Sequence, residues 1–337
     1  MSILVTGGAG YIGSHTIVEL QNRDYVPVSI DNFSNSTTNT YSNIKRITQK
    51  DIEHFNIDLV DQEKVKQFFK EHQNIEGVIH FAAFKAVGDS VENPVKYYRN
   101  NIISLLNILD HIEEHQIKNF IFSSSCSVYG NIDTLPVSEQ TALNATESPY
   151  AETKKMCERI IQDFYATNKN LNAIILRYFN PVGAHESGII GELPLQRPNN
   201  LVPLITRTAA GLENELNVFG TDYNTRDGSC IRDYIHVSDI AEAHVLSLDF
   251  CNNSSKESNC EIFNLGSGKG VSVLEMIDAF EAATQKKVIF KKAPRRSGDV
   301  EAISSDCSKA KNLLNWTPKY NLDEMMRSAW KWQQQLN

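Results

Sequence analysis

The sequence predicts an α/β fold, a doubly wound parallel sheet joined to a smaller mixed α/β domain. Three observations predict it. Short apolar runs alternate with helical patterns through the first half of the chain, a glycine cluster stands directly behind the first run, and the rhythm breaks after Phe179 into a Pro/Gly-rich stretch. Such alternation implies parallel strands joined by crossover helices, and near-continuous apolarity implies strands buried on both faces. At 337 residues the chain exceeds one small core, so a second domain or a substantial insert is expected.

Taken in order, the expected strands are 3–6, 25–31, 54–58, 77–83, 119–124 and 173–179. Residues 181–203 carry Pro181, Gly183, Gly188, Gly191, Pro194, Pro198 and Pro203, a looped pattern that opens the second domain. Residues 233–237, 238–250 and 261–265 read as strand, helix and strand returning to the sheet, with a polar surface loop over 252–259. The expected division is therefore 1–180, with a return at about 232–265, for a nucleotide-binding domain, and 181–231 with 266–337 for a substrate domain.

Composition excludes several classes. Hydrophobic residues make up 41% and no run approaches the ~20 apolar residues of a membrane span, so no membrane partner is expected. A formal net charge of −8 argues against nucleic acid, whose phosphates are bound through clustered Lys and Arg. The cysteines Cys126, Cys157, Cys230, Cys251, Cys260 and Cys307 are scattered without a CxxC pair, and read as reduced and structural. The opening residues lack a basic start and a long apolar core, so no signal peptide is expected and the cytoplasm is the default location.

Thr6-Gly7-Gly8-Ala9-Gly10-Tyr11-Ile12-Gly13 directly follows the first strand and opens a helical pattern. Glycines there let the backbone turn and approach a pyrophosphate, whose charge is met by free amides and the helix dipole. That placement makes the sheet Rossmann-type. Asp31 ends the second strand, where it would accept hydrogen bonds from a ribose diol and repel the extra phosphate of NADP, so NAD is the expected cofactor.

Tyr150 and Lys154 stand at i and i+4, which puts both on one helical face. A free phenol titrates near 10, and a nearby ammonium with an oxidised nicotinamide would favour phenolate. Tyr165 and Lys169 repeat the spacing without the context and are expected to be surface residues. What distinguishes the first pair is Pro149, which starts a helix, and Ser125, upstream at a strand end. His111-Ile112-Glu113-Glu114-His115 spells a zinc-peptidase pattern, but an apolar face of Leu105, Leu106, Ile108, Leu109 and Ile112 would leave both histidines on the polar flank without a third ligand. No metal is expected. His185 and His236 read as satisfied structural groups.

Ser125, Tyr150, Lys154 and the glycine loop together resemble the extended short-chain dehydrogenase/reductase superfamily. The blocks His80-Phe81-Ala82-Ala83-Phe84-Lys85-Ala86-Val87-Gly88, Ser123-Ser124-Ser125-Cys126-Ser127-Val128-Tyr129-Gly130, Arg177-Tyr178-Phe179-Asn180-Pro181-Val182-Gly183-Ala184-His185 and Arg232-Asp233-Tyr234-Ile235-His236-Val237 are similar to those of the UDP-galactose 4-epimerases. Resemblance runs from Ile3 to about Trp332.

The resemblance implies that Gly7, Gly10, Tyr11, Ile12, Gly13, Asp31, Asn32, Asp58, Leu59, Phe81, Ala82, Lys85, Asn100 and Tyr178 hold NAD, with Tyr150 and Lys154. It implies that Lys85, Ser125, Tyr150, Phe179, Asn180, Asn200, Leu201, Phe219, Arg232, Arg296, Asp299 and Ile303 line the UDP-sugar site, the two arginines on the diphosphate. Arginine suits that task because its planar guanidinium stays charged and binds phosphate oxygens bidentately. Ser125, Tyr150 and Lys154 would be catalytic, interconverting UDP-galactose and UDP-glucose through a 4-keto sugar. Ile303 stands where a tyrosine closes the sugar pocket in some relatives and a small residue admits an N-acetyl group in others, so N-acetylated UDP-sugars are an alternative or side substrate. A 4,6-dehydratase is a rival, but that family carries Thr-Asp-Glu where this chain has Ser125-Cys126-Ser127. A non-catalytic NAD sensor is a rival of another class, against which the intact Tyr150 and Lys154 count. Homodimerisation through helices near 95–115 and 150–166 is expected by the same resemblance.

Overall fold

The computed structural model describes residues 1–168, 170–195, 197–253, 259–296 and 299–336. β1 (Ser2–Thr6) leads to α1 (Tyr11–Asn22), β2 (Val26–Asp31) to α2 (Asn39–Thr48), β3 (Glu53–Asn56) to α3 (Gln62–Glu71), and β4 (Ile75–His80) to α4 (Val87–Glu92) and α5 (Pro94–Glu114). β5 (Asn119–Ser125) runs into a short 3₁₀ turn over Cys126–Tyr129, followed by α6 (Pro149–Thr167) and β6 (Asn172–Tyr178). The remaining elements are β7 (Asn180–Val182), α7 (Leu201–Ala209), β8 (Leu216–Phe219), β9 (Ile231–His236), α8 (Val237–Asn253), β10 (Cys260–Leu265), β11 (Gly270–Ser272), α9 (Val273–Thr284), β12 (Phe290–Ala293), α10 (Ser308–Leu314) and α11 (Leu322–Gln335).

Seven parallel strands form the large sheet in the order β10-β6-β5-β4-β1-β2-β3. Apolar clusters bury both of its faces, one around Ile3, Ile79, Ile174 and Val245, the other around Leu4, Val78, Phe120 and Ile161. That two-sided burial is why its strands read as apolar runs rather than alternating ones. The strand order reverses between β1 and β4, so the crevice beyond their carboxyl ends is the natural ligand site of such a sheet.

Contrary to the expected return of both strands in 232–265, only β10 joins the large sheet. β9 pairs with β7 and β11 in a separate three-stranded sheet, and β8 pairs with β12. These small sheets share a core of Val202, Val218, Met276, Phe280 and Met326.

The expected loop over 252–259 is also partly corrected. Asn252 and Asn253 end α8, Asn259 is buried, and 254–258 lie outside the described residues. Asn119 donates to Asn252 at 3.0 Å, Asn172 to Asn119 at 3.0 Å and Asn259 to Asn172 at 3.1 Å, an amide ladder across the starts of β5, β6 and β10. Amides stacked in register satisfy one another, which makes a polar sequence compatible with burial. Among the described residues no helix is long and apolar enough to cross a membrane. All six cysteines are free.

Candidate active site

The glycine loop sits at the β1/β4 crevice. Gly7 has φ 70°, a conformation side chains resist. A Cβ at Gly13 would lie 2.3 Å from the Gly7 carbonyl oxygen, so only glycine allows α1 to start this close to the loop. Gly10 caps α1 with no side-chain cap, which leaves the first amides of the helix, at Tyr11 and Ile12, for an outside acceptor. This cradle, with no Cβ filling it, fits a dinucleotide pyrophosphate.

Asp31, at the carboxyl end of β2, is 8% exposed. Its carboxylate accepts from the Ala9 amide at 3.0 Å, the Phe33 amide at 2.9 Å and the Ser36 hydroxyl at 2.8 Å, tying the glycine loop to the turn after β2. Asn32 donates to Asp58 at 3.3 Å, and the buried Leu59 carbonyl accepts from Asn107 at 2.7 Å. Phe81 and Ala82 leave β4 with their amides on the Thr6 carbonyl and hydroxyl, at 3.1 and 3.3 Å. Asn100 donates to Asn101 at 3.0 Å, and Asn101 in turn holds the turn at Phe84 and donates to Thr153 on α6 at 2.9 Å. The Tyr11 hydroxyl donates to the Gly183 carbonyl at 2.6 Å, pinning α1 to the start of the second domain.

Ser125 and Tyr178 are register partners at the carboxyl ends of β5 and β6. α6 starts beside them because Ser148 caps it, accepting from Ala151 N at 3.2 Å, and Pro149 occupies its first turn. Ser125 Oγ accepts from the amide and hydroxyl of Ser127, at 3.2 and 3.0 Å. Its own proton stays free of Ser127, and its hydroxyl is close enough to Tyr150 to draw that phenol down. Lys154, 4% exposed, donates to the Ser123 carbonyl at 2.7 Å and lies 4.8 Å from the Phe122 ring centroid.

The electrostatics of the site are set by its enclosure. Burial pushes the Tyr150 phenol well above its usual value, Tyr178 adds to the rise, and only the Ser125 hydrogen bond draws it back. Burial lowers the Lys154 ammonium to about 8, against the pull of Cys157 and Glu158. The expected phenolate therefore rests on the lysine ammonium and the nicotinamide charge together. One of its three N–H donors goes to the Ser123 carbonyl, and a further positive charge beside the ionised oxygen would add to its pull.

On the sugar side, Asn180 begins β7 opposite Tyr234, and Leu201 begins α7 after Asn200. Arg232 from β9 and Arg296 from the loop after β12 converge on Asp299, at 3.7 and 2.8 Å, and the Arg296 guanidinium lies 5.7 Å from the Phe219 ring. Phe179 and Ile303 pack together in a small buried cluster with Val128, Tyr129 and Val137. Lys85 and Asn200 are brought together by Glu192, a residue the sequence reading did not single out; its carboxylate accepts from them at 3.0 and 2.8 Å. No motif marks Glu192.

The histidine pattern on α5 differs from its sequence expectation. Leu106 is exposed, whereas His111 is buried and stacks on Phe69 at 4.8 Å, because α3 covers that flank. His115 stacks on the same ring at 5.6 Å, and Glu114 completes a group whose candidate ligand atoms lie within 4.8 Å of one another. Tyr165 packs against the core rather than decorating the surface, and Lys169 lies outside the described residues. His185 bonds Ser187 at 2.8 Å and His236 bonds Ser328 at 3.0 Å.

The family profile described as GDP-mannose 4,6 dehydratase matches residues 4–329. A UDP-glucose 4-epimerase of Dictyostelium discoideum is 47% identical over 331 residues, covering 98% of this chain and 95% of that protein. That of Bacillus subtilis is 47% identical over 333 residues, covering 99% and 97%. Among solved structures, the UDP-glucose-4-epimerase of Stenotrophomonas maltophila, with bound NAD and formylated UDP-arabinopyranose, has a TM-score of 0.95 at 44% identity, covering 100% of this chain and 98% of that one. The Bifidobacterium longum enzyme in complex with NAD+ and UDP has a TM-score of 0.95 at 41% identity, covering 99% and 98%. Identity of this extent along the whole length leaves one assignment: the chain belongs to the UDP-glucose 4-epimerase family, within the broader group that the dehydratase profile describes.

Proposed function

We propose that this chain interconverts UDP-galactose and UDP-glucose by epimerisation at C4, with NAD held throughout the cycle. The observation that carries the reading is the meeting of Ser125, Tyr150 and Lys154 at the carboxyl ends of β5 and β6, in the same parallel sheet whose β1 leads into the uncapped start of α1. Bound there, NAD supplies a hydride acceptor and a positive ring charge. Gly7, Gly10, Tyr11, Ile12 and Gly13 would meet its pyrophosphate, Asp31 its ribose, and Asn32, Asp58 and Leu59 the adenosine end. Phe81, Ala82, Lys85, Asn100 and Tyr178 would flank the remainder.

Tyr150 takes the sugar 4-hydroxyl proton on its phenol oxygen and later returns it, with Ser125 bridging hydroxyl and phenol. Lys154 supports the ionised phenol through charge. Arg232 and Arg296 anchor the diphosphate while the sugar presents its other face. Asn180, Asn200, Leu201 and Phe219 bound the nucleotide, Lys85 reaches the same UDP-sugar from the cofactor side, and Asp299 lies between the arginines. Phe179 and Ile303 bound the sugar.

Ser125-Cys126-Ser127 carries no carboxylate, so the acid and base for dehydration are missing despite the dehydratase name of the matching profile. We assign residues 1–180, with the return through α8 and β10 alone, to cofactor binding and 181–236 with 266–337 to substrate binding. A cytoplasmic homodimer is part of the same reading, supported by the exposed apolar Val95 and Leu106 on α5 and Met156 on α6. The acidic composition supports no nucleic-acid or membrane partner.

The test is purified protein incubated with UDP-galactose and no added NAD. UDP-glucose should form; a 4-keto-6-deoxy product would point to a dehydratase, and no product would overturn the reading.

A further inference from the structure

We propose that Glu192 is a gating residue of the nucleotide-sugar site, a latch that holds Lys85 and Asn200 until the diphosphate of an incoming ligand takes them over. The inference rests on the functional reading above, which places both partners at the UDP-sugar.

Glu192 Oε1 accepts from Lys85 Nζ at 3.0 Å and from Asn200 Nδ2 at 2.8 Å. Lys85 comes from the loop after β4, on the cofactor side, and Asn200 from the start of α7, on the sugar side. One oxygen thus joins segments that bound opposite sides of the crevice. The latch is held in place, since the Glu192 carbonyl accepts from Trp332 Nε1 at 2.9 Å and the Glu192 side chain is only 13% exposed. Asn200 stands at the N-cap of α7, a position asparagine favours, yet makes no side-chain cap. Its Nδ2 donates to Glu192, which turns the side chain toward that carboxylate. After burial, Glu192 is the second cause that raises the phenol of neighbouring Tyr11, so its charge is felt inside the crevice.

A carboxylate and a phosphate compete for the same donors and repel each other. Entry of a nucleoside diphosphate therefore requires Glu192 to give up Lys85, and the ion pair opposes binding. Glutamine at this position keeps an acceptor but not the charge, so it should release Lys85 more readily.

The experiment is calorimetric titration of UDP into the NAD-loaded protein, for wild type, Glu192→Gln, Lys85→Met and the double variant. The latch predicts that Glu192→Gln binds UDP about fivefold more tightly or better, the low end of typical coupling. Most of that gain should vanish in the Lys85→Met background. Unchanged or weaker UDP binding by Glu192→Gln would overturn the proposal, as would an equal gain with Lys85 removed, which would mark bare charge repulsion. Wild type that fails to bind UDP would overturn it too. Turnover of UDP-galactose, assayed separately on wild type, tests the functional reading: protein that binds UDP with this pattern but forms no UDP-glucose retains the latch and loses the epimerase.

Discussion

Glu158 and Arg177 form a buried bidentate ion pair directly behind the catalytic strand ends. Arg177 Nη2 donates to Oε2 at 2.6 Å and Nε to Oε1 at 2.9 Å, with both side chains almost fully enclosed. Ser124 donates to the same carboxylate at 2.5 Å, and Tyr129 receives Arg177 Nη1 at 3.2 Å. Glu158 lies on α6 one turn beyond Lys154, Ser124 precedes Ser125, and Arg177 precedes Tyr178. The pair therefore sets the position of α6 against β5 and β6, and with it the distance between Tyr150 and Ser125.

Glu158→Ala should destabilise the fold by about 3–5 kcal/mol, because it strands a buried guanidinium. The double variant Glu158→Leu/Arg177→Met should recover much of that loss, since no uncompensated charge remains. Urea unfolding of the three proteins checks both statements. An alanine variant within about 1 kcal/mol of wild type would show that water reaches the pair.

Tyr150→Phe should lower turnover by roughly 10²–10⁴-fold while leaving bound NAD unchanged, as it removes the ionisable oxygen and almost no volume. Turnover by wild type should also fall as pH rises through about 8, where Lys154 gives up its proton. A rate profile across that range, with NAD content measured on denatured samples, decides both.

Stability should decline on acidification. Burial lowers His15, His80 and His236 to about 3 and His244 to about 4, from an ordinary 6.5. Below about 6.5 the unfolded chain takes up protons that the folded chain refuses, so their stabilisation is present above that value and lost toward about 3 to 4. Asp239 works in the opposite sense. Burial raises it to about 6, so its contribution is present below the ordinary 3.8 and lost as pH rises through about 6. Four groups against one predict a net fall in the urea midpoint between about pH 7 and about pH 4, and His244→Gln should shallow the slope. A flat profile would contradict the burial of these rings.

Ile303 should bias substrate choice. It packs against Phe179 and is 5% exposed. Ile303→Ser should open space for an N-acetyl group and shift the kcat/KM ratio toward N-acetylated UDP-sugars by roughly 10–200-fold, the range for small apolar differences. Ile303→Tyr should shift it the other way, at about 1–3 kcal/mol of stability from overpacking. If neither variant moves the ratio, Ile303 is not the gate.

Local patterns were legible in the sequence by itself. A strand, a glycine turn and a helix are contiguous, so residues 2–22 declared the β1–loop–α1 unit and its anion-binding end. Tyr150 and Lys154 share a face because 3.6 residues make a turn, and Ser148 with Pro149 marks where that turn begins. What tertiary structure alone decided are partnerships between distant segments. Lys85 and Glu192 are 107 residues apart, and no periodicity says which cation a lone glutamate in a Pro/Gly-rich loop will meet. β9 reads like any apolar strand, but pairing depends on where the chain crosses, which placed it beside β7 and β11. His111 looked like a polar-flank residue until α3 covered that flank with Phe69. The rise of the Tyr150 phenol was likewise decided by tertiary structure, because desolvation depends on the enclosure of the site and helical spacing reports only which residues share a face.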